Sequence, residues 1–285
     1  IELFCSGNNL DRLDTSQNTN LEVLDCADNN LATLNISGNM VLRLLNCANN
    51  SLDTLNISGN TAMEEVNCDN NQISELNTAN TNTISLLRLS CASNVLENLN
   101  VSNYSALTRL NCGSNMLSEL DLSSNLDLEF LFAGNNQITT INLLSNTGLT
   151  ELQMSQNQLT ELDLSLNTAL KFLSATNNQL EMIDLESNIN LVECDISFNL
   201  LSSINFASDL GALKTLNLSN NQITDDLDLT TMAISACVFQ SDQTEFCPES
   251  ITINVSNNLL SFVNIQNGIN AEIINFNATG NPTLS

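Results

Sequence analysis

Apolar side chains recur along this chain at a spacing that no helix produces. From Leu21 the apolar set runs Leu21, Leu24, Cys26, Leu31, Leu34 and Ile36, punctuated by Asn29 and Asn39. The same set returns 21 residues later as Leu42, Leu45, Cys47, Leu52, Leu55 and Ile57, with Asn50 and Asn60. Its first position recurs at Met63, Leu86, Leu107, Leu128, Leu149, Leu170, Leu191 and Leu213. Two steps are longer, one around Thr81–Ser85 and one near Gly211. A fixed period of this size marks stacked coils, each unable to bury its apolar face alone.

Each coil also repeats within itself, as near-copies LxxLxCxxNx and LxxLxLxxNxx. Alternation at Leu24/Cys26 and at Leu34/Ile36 has period two, which is the signature of a strand with one buried face. The pattern therefore predicts a mainly β solenoid of about 12 coils, with two short parallel strands per coil and no helix, held together by coil-to-coil stacking. A single solenoid is expected over 1–285. Its regular repeats cover 1–223, an irregular insertion covers 224–250, and closing repeats cover 251–285.

Two asparagine columns accompany the apolar ones. The first runs Asn8, Asn29, Asn50, Asn71, Asn94, Asn115, Asn136, Asn157, Asn178, Asn199, Asn221 and Asn258. The second runs Asn18, Asn39, Asn60, Asn125, Asn146, Asn167 and Asn188 and continues at Asp209. The chain turns at these points and leaves backbone groups without a strand partner. An inward amide both donates and accepts, and so bridges successive turns.

The repeat resembles the leucine-rich repeat, in the short bacterial class with nested ten- and eleven-residue halves sometimes called IRREKO. The resemblance covers essentially the whole chain and implies a non-catalytic binding scaffold. The closing stretch FVNIQNGINAEIINFNATGNPTL, residues 262–284, is similar to the closing repeats of Bacteroidetes surface proteins. That similarity implies export by type IX secretion and an extracellular location. Ile1 enters in mid-repeat and the end breaks off at Thr-Leu-Ser. Open solenoid ends expose apolar core and strand edges, so flanking sequence or end-to-end neighbours are expected.

Cys5, Cys26, Cys47, Cys68, Cys91 and Cys112 share one inward position, which continues as Ala133, Met154, Ala175 and Ile196. In-register parallel strands set the Cβ atoms about 4.8 Å apart, beyond the roughly 3.8 Å of a disulfide. These cysteines, and Cys194 at a leucine position, read as small hydrophobes and not as bridges or metal ligands. Cys237 and Cys247 fall in the insertion, in MAISACVFQSDQTEFCPES. Such a pair reads as a disulfide stapling the insertion, with two half-buried thiols as the alternative.

The 285 residues include 32 acidic and 6 basic side chains and no histidine, for a formal net charge of −26. That balance argues against nucleic acid, whose phosphates need clustered Lys and Arg. No apolar run approaches the ~18 residues of a membrane span. Without histidine there is no Ser-His or Cys-His nucleophile pair and no imidazole metal site. Carboxylates sit on regular outward positions of a thin scaffold without a desolvating cleft, so neither an enzyme nor a cofactor is expected. The outward column Asp14, Asn35, Asn56, Asn77, Asn100, Asp121, Asn142, Asp163, Asp184 and Asn205 reads as a solvated ladder. A Ca²⁺ between Asp163 and Asp184 is the weaker reading.

Irregularity is confined to the outward positions of the first strand. Arg88, then Arg109, then Phe130 and Phe132, then Glu151 and Gln153, then Phe172 and Ser174 occupy them in successive coils. The matching columns of the second strand are monotonous Asn, Asp and Ser. Aromatic rings and arginine are the types enriched at binding hot spots. These eight residues are the candidate binding site, for a protein or a glycan, in a surface recognition or adhesion module. A structural spacer or fibre segment is the alternative, and ice or mineral binding a third reading. The insertion or a flanking segment folded over the rings would also account for them, as would rings that sit exposed singly without a role.

Overall fold

The computed structural model describes residues 1–78, 85–207, 211–224, 227–229, 238–239, 245–246, 251–264 and 273–284. They form two compact units, 1–146 and 147–285. The N-terminal unit holds β1 (Glu2–Phe4), β2 (Val23–Asp25), β3 (Leu44–Asn46), β4 (Thr54–Asn56), β5 (Glu65–Asn67), β6 (Glu75–Asn77), β7 (Arg88–Ser90), β8 (Arg109–Asn111) and β9 (Phe130–Phe132). The C-terminal unit holds β10 (Glu151–Gln153), β11 (Phe172–Ser174), β12 (Met182–Leu185), β13 (Glu193–Asp195), β14 (Ser203–Phe206), β15 (Thr215–Asn217), β16 (Leu227–Asp228), β17 (Val238–Phe239), β18 (Glu245–Phe246), β19 (Ile251–Asn254), β20 (Val263–Asn264) and β21 (Ile273–Asn277). No helix occurs among the described residues.

Each unit is a parallel β-solenoid. In the first, β1, β2, β3, β5, β7, β8 and β9 pair in that order. In the second, the order is β10, β11, β13, β15, β19 and β21. From β2 to β19 the strands in these orders bury a central residue, as at Leu24, Leu45, Val66, Leu89, Leu110, Leu131, Leu152 and Leu173, while Leu3 of β1 is half-buried. Two flanking residues face outward, as the period-two pattern requires.

The second half-coils behave differently. They pair as strands only at β4–β6, β12–β14 and β16–β20 among the described residues. Elsewhere their apolar positions are still buried, for example Leu120 and Leu122 or Leu162 and Leu164. The outward Asn/Asp column adds a local turn bond whether or not the half-coils pair as strands. Asp14, Asn35, Asp121, Asp163 and Asp184 each accept, through Oδ1, the N–H two residues on. For Asp121 and Asp163 those backbone and serine donors also hold the carboxyl below its usual range.

The insertion leaves the larger sheet intact. β15 pairs directly with β19, while β17 and β18 form an antiparallel pair within the inserted stretch. Cys237 and Cys247 lie outside the described residues. Asn258 still donates to the Leu218 carbonyl at 3.0 Å across the insertion.

The first asparagine column forms a continuous set of rungs in each unit. Asn115 Nδ2 donates to the Cys91 carbonyl of the preceding coil at 3.0 Å and to its own Cys112 carbonyl at 3.1 Å. Its Oδ1 accepts the Leu96 N–H at 3.0 Å. Asn29, Asn50, Asn71, Asn94 and Asn136 repeat this arrangement. The residue before each of these asparagines has positive φ, from Asp28 at 53° to Asn135 at 55°. Small polar side chains tolerate that conformation better than others.

The second column is more deeply buried. Asn39 donates to the Thr15 carbonyl at 3.1 Å and accepts the Thr15 hydroxyl at 2.8 Å. In later coils the threonine position holds Ile36, Val101 and Leu164. Oδ1 of Asn60, Asn125 and Asn188 accordingly has no hydrogen-bond donor among the described residues. Tyr104 takes the place of an asparagine in one coil and reaches the Thr78 carbonyl with its hydroxyl at 3.2 Å.

Cys26, Cys47, Cys68, Cys91, Cys112 and Cys194 are buried and, like the partly buried Cys5, unbridged. Burial pushes the thiols of Cys26, Cys112 and Cys194 up to about 12. Cys47, Cys68 and Cys91 are raised for the same reason.

Three outcomes are expected. Replacing Asn115 with Ala should lower stability by roughly 2–5 kcal/mol, because it strands several buried backbone groups. Replacing Val101 with Thr should cost little or stabilise, since the hydroxyl meets Asn125 Oδ1. The same change at the buried Val66 should cost about 1–3 kcal/mol. Urea midpoints of the three variants decide both. The third concerns the thiols. Ellman's reagent at pH 8 should not react with the six buried cysteines until the chain unfolds. Their folded pKa values are raised, so the stability they contribute is complete below pH ~9 and is lost as pH rises above it through the folded values.

Candidate recognition face

Four of the eight candidate residues come together in the N-terminal unit. Parallel register sets Arg88 opposite Arg109 and Arg109 opposite Phe130. On the next outward column Ser90, Asn111 and Phe132 line up in the same way. The Arg109 guanidinium lies over the Phe130 ring, 4.0 Å from its centroid, and 5.6 Å from that of Phe132. Both rings are half-buried, so they do not stand free in water as the alternation alone implied. Arginine stacked on a ring contributes about 0.5–1 kcal/mol at such partly exposed sites.

Arg88 is exposed and pairs with Glu65 at 3.1 Å. Arg43, one coil before Glu64, makes a two-pronged contact with it at 2.8 Å on each arm. Between β5 and β9 the face holds a depression of about 210 Å³, lined by Glu65, Asn67, Arg88, Ser90, Arg109, Asn111 and Phe132, with Val66 and Leu89 beneath. Asn111 donates to Ser90 Oγ at 3.0 Å. Beside this row, Asp69 accepts the Ser90 hydroxyl at 2.8 Å and the Ala92 N–H at 2.6 Å. Burial raises the Asp69 carboxyl, and those hydrogen bonds act against the rise.

The other four candidates lie in the C-terminal unit. Glu151 is opposite Phe172, and Gln153 opposite Ser174. Gln153 donates to Glu151 at 2.8 Å, and Ser174 shares a hydrogen bond with Ser155 at 2.8 Å. Phe172 is exposed at 39%. With Glu193, Asp195 and Thr215 these residues edge a depression of about 240 Å³.

A wider groove of about 600 Å³ lies on the second half-coils of the N-terminal unit, along Asn98, Asn100, Glu119, Asp121, Thr140 and Asn142. Asp121 and Asn100 there already accept backbone N–H groups. Its walls are the monotonous polar columns. No group of three or more His, Cys, Asp or Glu able to hold a metal ion occurs among the described residues. No helix among them is long and apolar enough to cross a membrane.

No family model and no curated relative matches the chain. Solved structures do. The functional domain of InlJ from Listeria monocytogenes, described as including a cysteine ladder, is 29% identical with a TM-score of 0.74, over 91% of this chain and 59% of that one. YopM from Yersinia enterocolitica WA-314 is 26% identical with a TM-score of 0.71, over 93% of this chain and 52% of that one. The leucine-rich effector YopM from Yersinia pestis is 25% identical with a TM-score of 0.64, over 91% and 72%. The fold is a leucine-rich-repeat solenoid. This chain carries a cysteine ladder of its own, from Cys5 to Cys112, and spans only a little over half the length of the first two of these proteins.

Sequence reading missed Glu65, Asn67 and Asp69, although aligning the coils sets Glu65 directly before Arg88 in the same column. It also missed Phe198. In the C-terminal unit the positive-φ column reads Gln156, Asn177, Phe198, Asn220 and Asn257. Phe198 holds φ 55° while 53% exposed. A bulky side chain is strained in that conformation by roughly 1 kcal/mol or more. Phe198→Asn should therefore raise the urea midpoint, by an amount equivalent to about 0.5–1 kcal/mol.

Proposed function

We propose that this chain is a non-catalytic recognition module that binds a protein partner through the outward side chains of its first strands. The observation that carries this reading is Arg109 stacked over Phe130 with Phe132 beside it. A repeated scaffold needs no such cluster for its own closure, because the core lies on the opposite side of each strand. Aromatic rings and arginine fixed in place offer contact area without a large ordering cost. The likeness to bacterial leucine-rich-repeat proteins, one of them an effector, supports the same reading. Residence at the cell surface or outside the cell, by a type IX route, belongs to this proposal and rests on the resemblance of residues 262–284.

The test uses two variants, Phe130→Ser with Phe132→Ser, and Phe172→Ser alone. Circular dichroism and urea midpoints establish that both still fold. A partner captured and identified with the native chain should be lost by the double variant, with affinity falling at least about a hundredfold. Unchanged capture by both variants overturns the proposal.

A further inference from the structure

We propose that the depression between Arg88, Arg109 and Phe132 receives a carboxylate side chain, Asp or Glu, carried on a peptide segment of the partner beside an apolar residue. This rests on the recognition reading above and names its chemistry. Arg88 and Arg109 stand directly opposite each other in paired strands, an arrangement of like charges that is unfavourable unless each is compensated. Arg88 has Glu65 at 3.1 Å, as Arg43 has Glu64 at 2.8 Å. Arg109 has no carboxylate within ion-pair distance among the described residues.

The guanidinium of Arg109 is also held in place. Stacking at 4.0 Å over Phe130 occupies one face of the group and leaves its in-plane N–H donors for a two-pronged contact with a carboxylate. Several polar groups around it already have partners. Asn67 Oδ1 accepts the Asp69 N–H. Asn111 Oδ1 accepts the Gly113 N–H, and Ser90 Oγ accepts from Asn111. Glu65, the acid in the lining, is engaged by Arg88. The Arg109 guanidinium is the cation in this lining that no carboxylate meets among the described residues, and it calls for an acceptor ligand. The volume of about 210 Å³ is below the roughly 300 Å³ at which small-molecule sites begin. It suits one side chain of a larger partner, with Phe132 as an apolar wall for the neighbouring residue.

The experiment uses the full chain with ¹⁵N-labelled arginine, following the side-chain Nε–Hε signals. N-acetyl-Phe-Asp-amide should shift the Arg109 signal saturably, and N-acetyl-Phe-Asn-amide should bind at least about tenfold more weakly, the worth of a charge-assisted hydrogen bond. Arg109→Gln and Phe132→Ser should each weaken the Phe-Asp compound. Glu65→Gln, which releases Arg88, should strengthen it. Equal binding of the Asp and Asn compounds overturns the proposal. So does an Arg12 shift that matches that of Arg109, which marks a general ionic effect. Glucuronate binding as tightly as the Phe-Asp compound overturns it too, because the carboxylate would then belong to a sugar. The two readings separate through the identified partner. Loss of capture by the Phe130/Phe132 double variant but not by Arg109→Gln leaves recognition standing and removes the carboxylate.

Discussion

Everything in this molecule depends on a buried asparagine amide that hydrogen-bonds to two coils at once. A parallel strand of three residues is too short to hold its neighbour by ladder bonds alone, and the chain must leave each strand by a turn that strands backbone groups. Asn115 and its equivalents resolve both problems with one side chain. They satisfy carbonyls on their own coil and on the one before, and they accept an N–H that the turn releases. Leaving such groups unpaired would cost about 1–3 kcal/mol each. The leucines supply the driving force for burial; the amides decide which geometry that burial takes.

The cysteine ladder and the outward asparagines accompany these rungs. The cysteine position takes small and larger apolar side chains alike, from Ala133 to Met154 and Ile196, and a neutral thiol is apolar enough to share it. Burial holds Cys26 and Cys112 protonated far above neutral pH, so the ladder is chemically quiet. On the far side of each coil, the Asn/Asp column closes local turns both in paired strands, as at Asp184 of β12, and where no strand forms, as at Asp121. The smaller sheet is discontinuous among the described residues, whereas the first-strand sheet runs without a break within each unit.

How much of this was legible in the sequence depends on whether a feature repeats. The period, the inward apolar column that holds the cysteines and the first asparagine column could be read because each recurs at the same place coil after coil. The partial second ladder could not, since burial of Leu120 and Leu122 looks the same in a strand and in a run of turns. Tyr104 was passed over because a phenol doing an amide's work breaks the pattern in type while keeping it in function. At the candidate face, Arg88, Arg109, Phe130 and Phe132 stood out as irregular. Their mutual arrangement came only with the register, which sets Glu65 against Arg88 and the Arg109 guanidinium over a ring. Phe198 shows a further limit, because its conformation is dictated by its column and not by its own preference.

The amide rung also bears on how such a chain can change over generations. The same contact is kept when the linked residues are 24 apart, as for Asn115 and Cys91, 26 apart, as for Asn94 and Cys68, or 40 apart, as for Asn258 and Leu218. What must be conserved is one amide per coil and not a fixed number of residues between them. A duplication, deletion or exchange of DNA whose breakpoints fall at equivalent points of two coils therefore yields a chain that still closes on its neighbours. Coil number is free to drift, and an outward residue can be carried intact from one coil to another. The face can thus be recomposed by shuffling whole coils while the hydrogen-bonded frame beneath it stays the same.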